Sequence, residues 1–389
     1  MFDEYFNCRN YGKESAVQTA DVLVIGGGIT GSTTALGLML KGAGKVVLLD
    51  EQLKSQRLSR GNFGLTWFMC KGAGYPGYSL WCRKAAKAWP EFAERLEAES
   101  KYNIELDWTG GAVHAFGQDE LDGFAKSIKT IREGCESEGI DYPVEILDRQ
   151  QFAGLMPKMT LGEDVAGAMF TKEQGHVNPL KLLGAVRSWF QKLGGLYNGA
   201  EGAKEIIPQS NGTILVKTTS ATYECKKLVI AAGHGSVRLT ASLGEKLNIY
   251  PQRGQLMVTA RCERKLDFPL LSVRQTQDGT YMIGLSTENT ALDARVTAEA
   301  MKSQAANAVR IFPELANLNW VRAWGAIRVM TPDGGPIYSK IPGHDNISVL
   351  ALHSGVSLAP LHTEVIAPWI LGDTTDNQVS DFSNGRFNA

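Results

Sequence analysis

The apolar positions of this chain change period several times, and the first change is the sharpest. Val22 to Ile25 is a continuous apolar run of strand length that stops on Gly26, and Ser32 to Leu40 beyond it are mostly good helix formers. A second apolar run, Val46 to Leu49 after Lys45, closes on Asp50. Ser79–Glu99 and Asp119–Glu138 carry apolar residues at helical spacing with charged faces, while Asn103–Phe116 alternates like a strand pair around Gly110-Gly111. Asn178-Pro179 reads as a side-chain cap followed by a first-turn proline, predicting a helix to about Leu193. Strands are predicted over Ile214–Thr218, Lys227–Ala231, Gln255–Ala260, Leu270–Arg274 and Tyr281–Leu285, with a helix over Thr297–Ile311. Asn346–Leu352 is a last apolar strand, leading through His353-Ser354-Gly355 into a helix predicted from Val356 to Leu371. The alternation is that of an α/β chain, α+β overall.

The turn after the first strand carries Gly26, Gly28 and Gly31 at G-x-G-x-x-G spacing. Glycine at these positions permits a tight turn, lets the backbone approach a pyrophosphate and lets the helix pack close, so that its first N–H groups face the phosphates. Asp50 stands 19 residues after Gly31 at the end of the second strand, where an acid holds a ribose hydroxyl. An ADP-containing cofactor is therefore expected. Three further segments favour FAD: Lys227–Gly233, a strand ending in small residues; Gly355 ahead of a helix, offering free N–H groups; and the glycine-containing loop Ser59–Gly64 after the ribose acid.

With 389 residues the chain exceeds one typical domain. Because the nucleotide signals lie at both ends and in the middle, two interleaved lobes are expected. Residues 20–80, 150–250 and 325–375 would form a Rossmann-like FAD-binding lobe. Residues 81–149 and 251–324 would form a substrate lobe on a mostly antiparallel sheet, and 1–19 an N-terminal arm. Forty basic and 41 acidic residues leave a net charge of −1, with no field to attract nucleic acid. No apolar run approaches the roughly 18 residues of a membrane span, and Met1 to Val17 lacks the apolar core of a secretory signal. Six scattered cysteines with no C-x-x-C read as reduced packing thiols of a cytoplasmic protein, with no metal site expected.

Seven segments in order resemble the glycine oxidase/D-amino-acid oxidase superfamily of FAD-dependent oxidoreductases. They are Gly26–Gly31 with Asp50, Ser59–Gly64, Gly175-His-Val-Asn-Pro179, Leu228–Gly233, Pro251-Gln-Arg-Gly-Gln255, Trp324–Gly334 and His353–Pro360. Within it, Gly175–Pro179, Val273-Arg-Gln-Thr276 and His353–Pro360 resemble the branch holding the catalytic subunits of bacterial opine oxidase, D-hydroxyproline dehydrogenase and hydrogen cyanide synthase.

The resemblance implies oxidation of an amino acid or N-substituted amino acid to an imine, by hydride transfer to flavin N5. It implies Arg328 as the clamp on the substrate carboxylate, a task suited to a planar fork of donors. His353 would stand beside the ring, and Arg274 and Trp67 would contact substrate. The cofactor contacts it implies are Gly26, Gly28, Ile29, Thr30, Gly31, Asp50, Glu51, Gln52, Ser59, Arg60, Asn62, Phe63, Gly64, Ala203, Ala232, Gly233, Gly325, Arg328, Gly355, Val356, Ser357 and Leu358. Relatives that attach flavin covalently use a cysteine near the position of Ala326 or a histidine in the loop after the ribose acid. Ser59–Lys71 holds no histidine, so noncovalent FAD is expected, with Cys70 the one thiol in that stretch. Met282 stands where one branch has an oxygen-activating lysine, two residues before Gly284, which points away from fast reaction with oxygen. The electrons would then pass to a second flavoprotein subunit and a small [2Fe–2S] subunit. A stand-alone oxidase releasing peroxide and a non-catalytic electron-relay subunit are the competing readings.

Overall fold

The structure, a computed structural model, describes residues 17–51, 58–72, 74–373 and 377–388. Gln52 and most of the N-terminal arm lie outside them. The first strand, Gln18–Ile25, lies at the centre of an eight-stranded sheet. It pairs in parallel with Val46–Leu49 on one side and Thr222–Ile230 on the other. Leu196–Asn198 and His344–Ala351 extend this parallel core outward, and Ile337–Ile341 closes one edge antiparallel. Val46–Leu49 is buried at every position, as a strand covered on both faces requires.

The helix Ile29–Leu40 covers one face with Pro179–Lys192 and Pro76–Ser100, around a core that includes Leu36, Trp81, Trp89 and Phe190. Asn178 caps its helix as the sequence suggests, its side chain accepting from the Leu180 and Lys181 N–H groups. A second unit joins a four-stranded antiparallel sheet to a three-stranded one, with the helix Ala298–Ile311 packed into their shared core.

Two expected lobe borders shift. The segment from Pro76 to Ser100 packs against the parallel sheet, because Trp81, Trp89 and Leu96 bury there. Val165–Thr171, expected in the nucleotide lobe, instead pairs with Gly111–Phe116 and Glu145–Asp148 in the second unit. Only Gly111–Phe116 of the predicted hairpin is a strand, since its partner comes from far along the chain rather than from across Gly110. Trp320–Met330 is a strand that the period did not reveal; four arginine or tryptophan positions mask its alternation.

The predicted final helix is also broken up. Ala359–Leu361 and Ala367–Leu371 are α-helical, while His362–Ile366 between them is a π turn. Pro368 has no N–H to offer a carbonyl one turn back and its ring crowds that carbonyl, so the register widens ahead of it. This segment is tied to the first helix through His362, which is fully buried. The Thr33 hydroxyl donates to the Ile29 carbonyl, so His362 Nδ1 donates to Thr33 Oγ1 at 3.0 Å, and Nε2 accepts from Tyr338 at 3.2 Å. Each ring nitrogen is thus used by the neutral tautomer, and burial pushes the imidazole down to about 3.

A pH dependence follows. The unfolded chain takes up this proton near the ordinary value of about 6.5. The folded chain takes it up only at about 3, so stability is lost as pH falls below about 6.5. Replacing His362 with Gln should flatten the fall in unfolding free energy between pH 6.5 and 5 by up to about 1.4 kcal/mol per pH unit. Urea titrations across that range measure the slope; equal slopes for variant and parent would refute it.

Candidate active site and cofactor cradle

The parallel strands end at a crevice, the usual ligand position in such sheets. Gly26 takes φ of 110°, and a side chain there would strike the Ala231 carbonyl. A side chain on Gly31 would strike the Gly26 carbonyl, so strand, turn and helix close up only with glycine at both positions. Around the turn lie Asp50, Glu51, Ser59, Arg60, Ala203, Ala232 and Gly233, with Ile29 and Thr30 at the helix start. Ser59 Oγ accepts from the Ile29 N–H at 2.9 Å, bringing the loop after the ribose acid onto the helix terminus. Arg187 stands 4.0 Å from Asp50, donates to the Gly27 carbonyl and stacks on Tyr197. Neither it nor Glu201 and Arg238, which also line this cavity, belongs to a motif.

A second cavity of about 330 Å³ adjoins the first at Leu58, which lines both. Its floor is Asn62, Phe63, Trp67, Val356 and Ser357, and its walls include Leu256, Ala326, Arg328, Lys71 and His353. The turn at Gly355 reaches this position by packing on the side chains that open the first helix. Any side chain on Gly355 would crowd Ile29 and Thr30, so the turn rests on the start of the first helix. Ser357 then fixes the flavin loop, accepting from the Trp67 N–H at 3.1 Å and donating to the Leu65 carbonyl at 3.2 Å.

Arg328 comes from the strand Trp320–Met330, in register with Gln252 of the neighbouring strand Tyr250–Arg261. Its guanidinium lies across Gly254, where any side chain would collide with it. Nη1 makes long contacts to Gln252 Oε1 at 3.4 Å and the Arg253 carbonyl at 3.3 Å. No carboxylate among the described residues pairs with it. Glu288 is close enough to be felt but is held by Arg253 at 2.6 Å and by Gln255. Burial therefore draws Arg328 below the usual arginine range. The His353 ring is half-buried, with its Nδ1 shielded from solvent. Desolvation, reinforced by the charges of Lys71 and Arg328, holds it well below the usual histidine value, and its Nδ1 has no hydrogen-bond partner among the described residues.

The other predicted contacts divide clearly. Arg274 does not line the cavity. It is buried, donating to the Phe63 carbonyl and to His176 Nδ1 at 3.0 Å, so it braces the flavin loop from behind. Gly325 packs on the Ala294 carbonyl, while Gly64, at φ of 90°, packs under the Val177 carbonyl. Leu358 is wholly buried in the core. Trp324 stands behind the loop, its Nε1 donating to the Gly61 carbonyl at 3.1 Å. Met282 is buried in the antiparallel sheet and is not among the residues lining the cavity. Lys71 lies in none of the seven segments, and Gly254, although inside Pro251–Gln255, carries no role that the segment itself reveals.

These two joined cavities fit FAD. A glycine turn and ribose acid line one; the other is a largely apolar chamber holding Trp67 and His353, whose Nε1 and Nδ1 have no partner among the described residues. The comparisons agree. Residues 21–369 match the family model described as FAD dependent oxidoreductase, DAO. The chain is 33% identical over 369 residues to an opine oxidase subunit from Rhizobium meliloti, covering 95% of this chain and 98% of the relative. It is also 33% identical over 371 residues to the corresponding opine oxidase subunit from Agrobacterium tumefaciens, covering 95% and 98%. The crystal structure of glycine oxidase from Geobacillus kaustophilus superimposes with a TM-score of 0.84 at 23% identity, over 95% of this chain and 99% of that one. A glycine turn built for a dinucleotide and a match over nearly the whole length have one explanation: the chain belongs to the DAO family of FAD-dependent oxidoreductases, enzymes acting on amine and amino-acid donors.

Proposed function

We propose that this chain oxidises the C–N bond of an amino acid or N-substituted amino acid (opine-, hydroxyproline- or glycine-like) to an imine, in the cytoplasm. The observation that carries the reading is Arg328, a cavity-lining guanidinium with no carboxylate partner among the described residues. Bound FAD supplies the two-electron acceptor. Arg328 offers a planar fork of donors that fixes a substrate carboxylate in position and orientation. Phe63, Trp67, Leu256 and Leu271 exclude water around the reacting carbon and strengthen that contact. His353 stays neutral beside it and has Nδ1 available.

The reading takes FAD as noncovalently held. Cys70 is an exposed residue lining the cavity, but desolvation by the surrounding protein pushes its thiol up to about 11, and the thiol form is a poor nucleophile. The relatives at 33% identity are named as subunits, which supports transfer of electrons to partners, a second flavoprotein and a small [2Fe–2S] protein. One observation favours an oxygen-using enzyme instead: Lys71 and Arg328 place positive charge where superoxide would need it.

Turnover of the isolated chain with a dye acceptor, compared with oxygen under peroxide detection, separates the two. Dye reduction should exceed peroxide formation by about tenfold or more, as a barrier difference of only about 1.4 kcal/mol suffices. Vigorous peroxide release would establish the oxidase.

Arg328→Ala should leave FAD content intact and lower kcat/KM by at least about 100-fold, the loss expected of a bidentate charged contact. Gly254→Ala retains every charge but displaces the guanidinium, so it should reproduce most of the rise in KM. Unchanged turnover in Arg328→Ala would instead support a non-catalytic relay role.

A further inference from the structure

Lys71 is a cavity-lining amine without an anion, and desolvation holds its ammonium below the usual lysine range. It leaves the loop ahead of the helix Pro76–Ser100 and reaches the C-terminal turn, where Nζ donates to Ser354 Oγ at 3.0 Å. Ser354 is fixed by a second bond, accepting from the buried Tyr78 hydroxyl at 2.7 Å. The lysine backbone is held too, its carbonyl accepting from Ser79 Oγ at 2.6 Å. An ammonium carries three donors. Ser354 takes one, and no other acceptor for Nζ occurs among the described residues.

The surrounding charges do not neutralise it. The acidic groups nearest in effect are the thiols of Cys82 and Cys70, which desolvation pushes up to about 12 and about 11, so both stay protonated. The remaining charged neighbour is Arg328, of the same sign. No aspartate or glutamate lines the cavity among the described residues. A desolvated cation without a counter-charge is costly, and two in one chamber repel each other. A positioned ammonium with spare donors is worthwhile if a ligand brings the missing anion. One carboxylate satisfies Arg328, leaving Lys71 to be matched by another.

We infer that Lys71 is a specificity-determining residue that binds a second carboxylate, so that the substrate is a dicarboxylic secondary amine anchored at one end by Arg328 and at the other by Lys71. This rests on the function proposed above and narrows it, excluding glycine-like and hydroxyproline-like monoacids as preferred substrates. Lys71 also stands near the turn that faces the flavin. A role as counter-charge to reduced flavin is the rival assignment, and it would affect all substrates alike.

The test uses the FAD-loaded protein with matched pairs that differ by one carboxylate: iminodiacetate against sarcosine, and N-(1-carboxyethyl)alanine against N-ethylalanine. The parent enzyme should prefer the diacid of each pair in kcat/KM by roughly 10- to 100-fold, the range of one charge-assisted hydrogen-bonded contact. Lys71→Gln should erase that preference through KM while leaving the monoacid unchanged, and Lys71→Arg should retain it. Binding gives a readout free of turnover. Diglycolate, the ether analogue of iminodiacetate, cannot be oxidised at nitrogen, and its dissociation constant read from flavin absorbance should rise in Lys71→Gln by a similar factor. Methoxyacetate binding should not change.

Equal loss for both members of a pair, or no diacid preference in the parent, would overturn the assignment. Reduction of FAD by monoacids alone would overturn it while leaving the function standing. If no amino acid or secondary amine of either kind reduces the FAD, the function itself fails.

Discussion

The contact on which the site depends is the one between the two ends of the chain, where Gly355 rests on Ile29 and Thr30. A side chain on Gly355 would press on the Ile29 methyl and the Thr30 hydroxyl. The contact sets how far the turn His353–Leu358 stands from the glycine turn at Gly26–Gly31. Ser357 carries that position to the flavin loop at Leu65 and Trp67, while Thr33 and Tyr338 hold the buried His362 behind it. One close approach thus fixes the pyrophosphate end and the ring end of the cradle relative to each other. The neutral imidazole behind it makes that arrangement sensitive to acid.

Charge within the second cavity follows a single rule. The acids of the neighbouring connection, residues 284–297, are occupied elsewhere: Glu288 and Asp293 are both held by Arg253, at 2.6 and 3.2 Å. Arg328 and Lys71 face the chamber without them, and His353 is kept neutral by the same desolvation. A pocket of this kind is arranged for an anionic ligand, and burial that would be wasteful in a core is useful where the ligand completes the pairing. Arg274, equally buried, does the opposite. It spends its donors on the Phe63 carbonyl and His176, so its charge supports the loop rather than the ligand.

The parallel-sheet half was legible because its signals are local. A four-residue apolar strand, a glycine turn whose close packing excludes side chains and an acid at the end of the next strand are all written in consecutive residues. Asn178 and Thr297 cap their helices where short-range hydrogen bonding predicts. The antiparallel half was less legible. Gly111–Phe116 finds its partners at 145–148 and 165–171, and Trp320–Met330 pairs with Tyr250–Arg261, across separations that no local period encodes.

The sequence by itself determined the nucleotide turn, through residue type at fixed spacing, and its resemblance to a known family implied FAD and Arg328 as a candidate carboxylate clamp. Only the tertiary structure decided which cations face the chamber. Arg274 and Lys71 are indistinguishable as letters beside their motifs; pairing turns one toward a carbonyl and a histidine and leaves the other with spare donors. Gly254 likewise has meaning only because strand register lays Arg328 across it. Whether a charge is satisfied depends on residues brought near by the fold, and that proximity is absent from the linear chain.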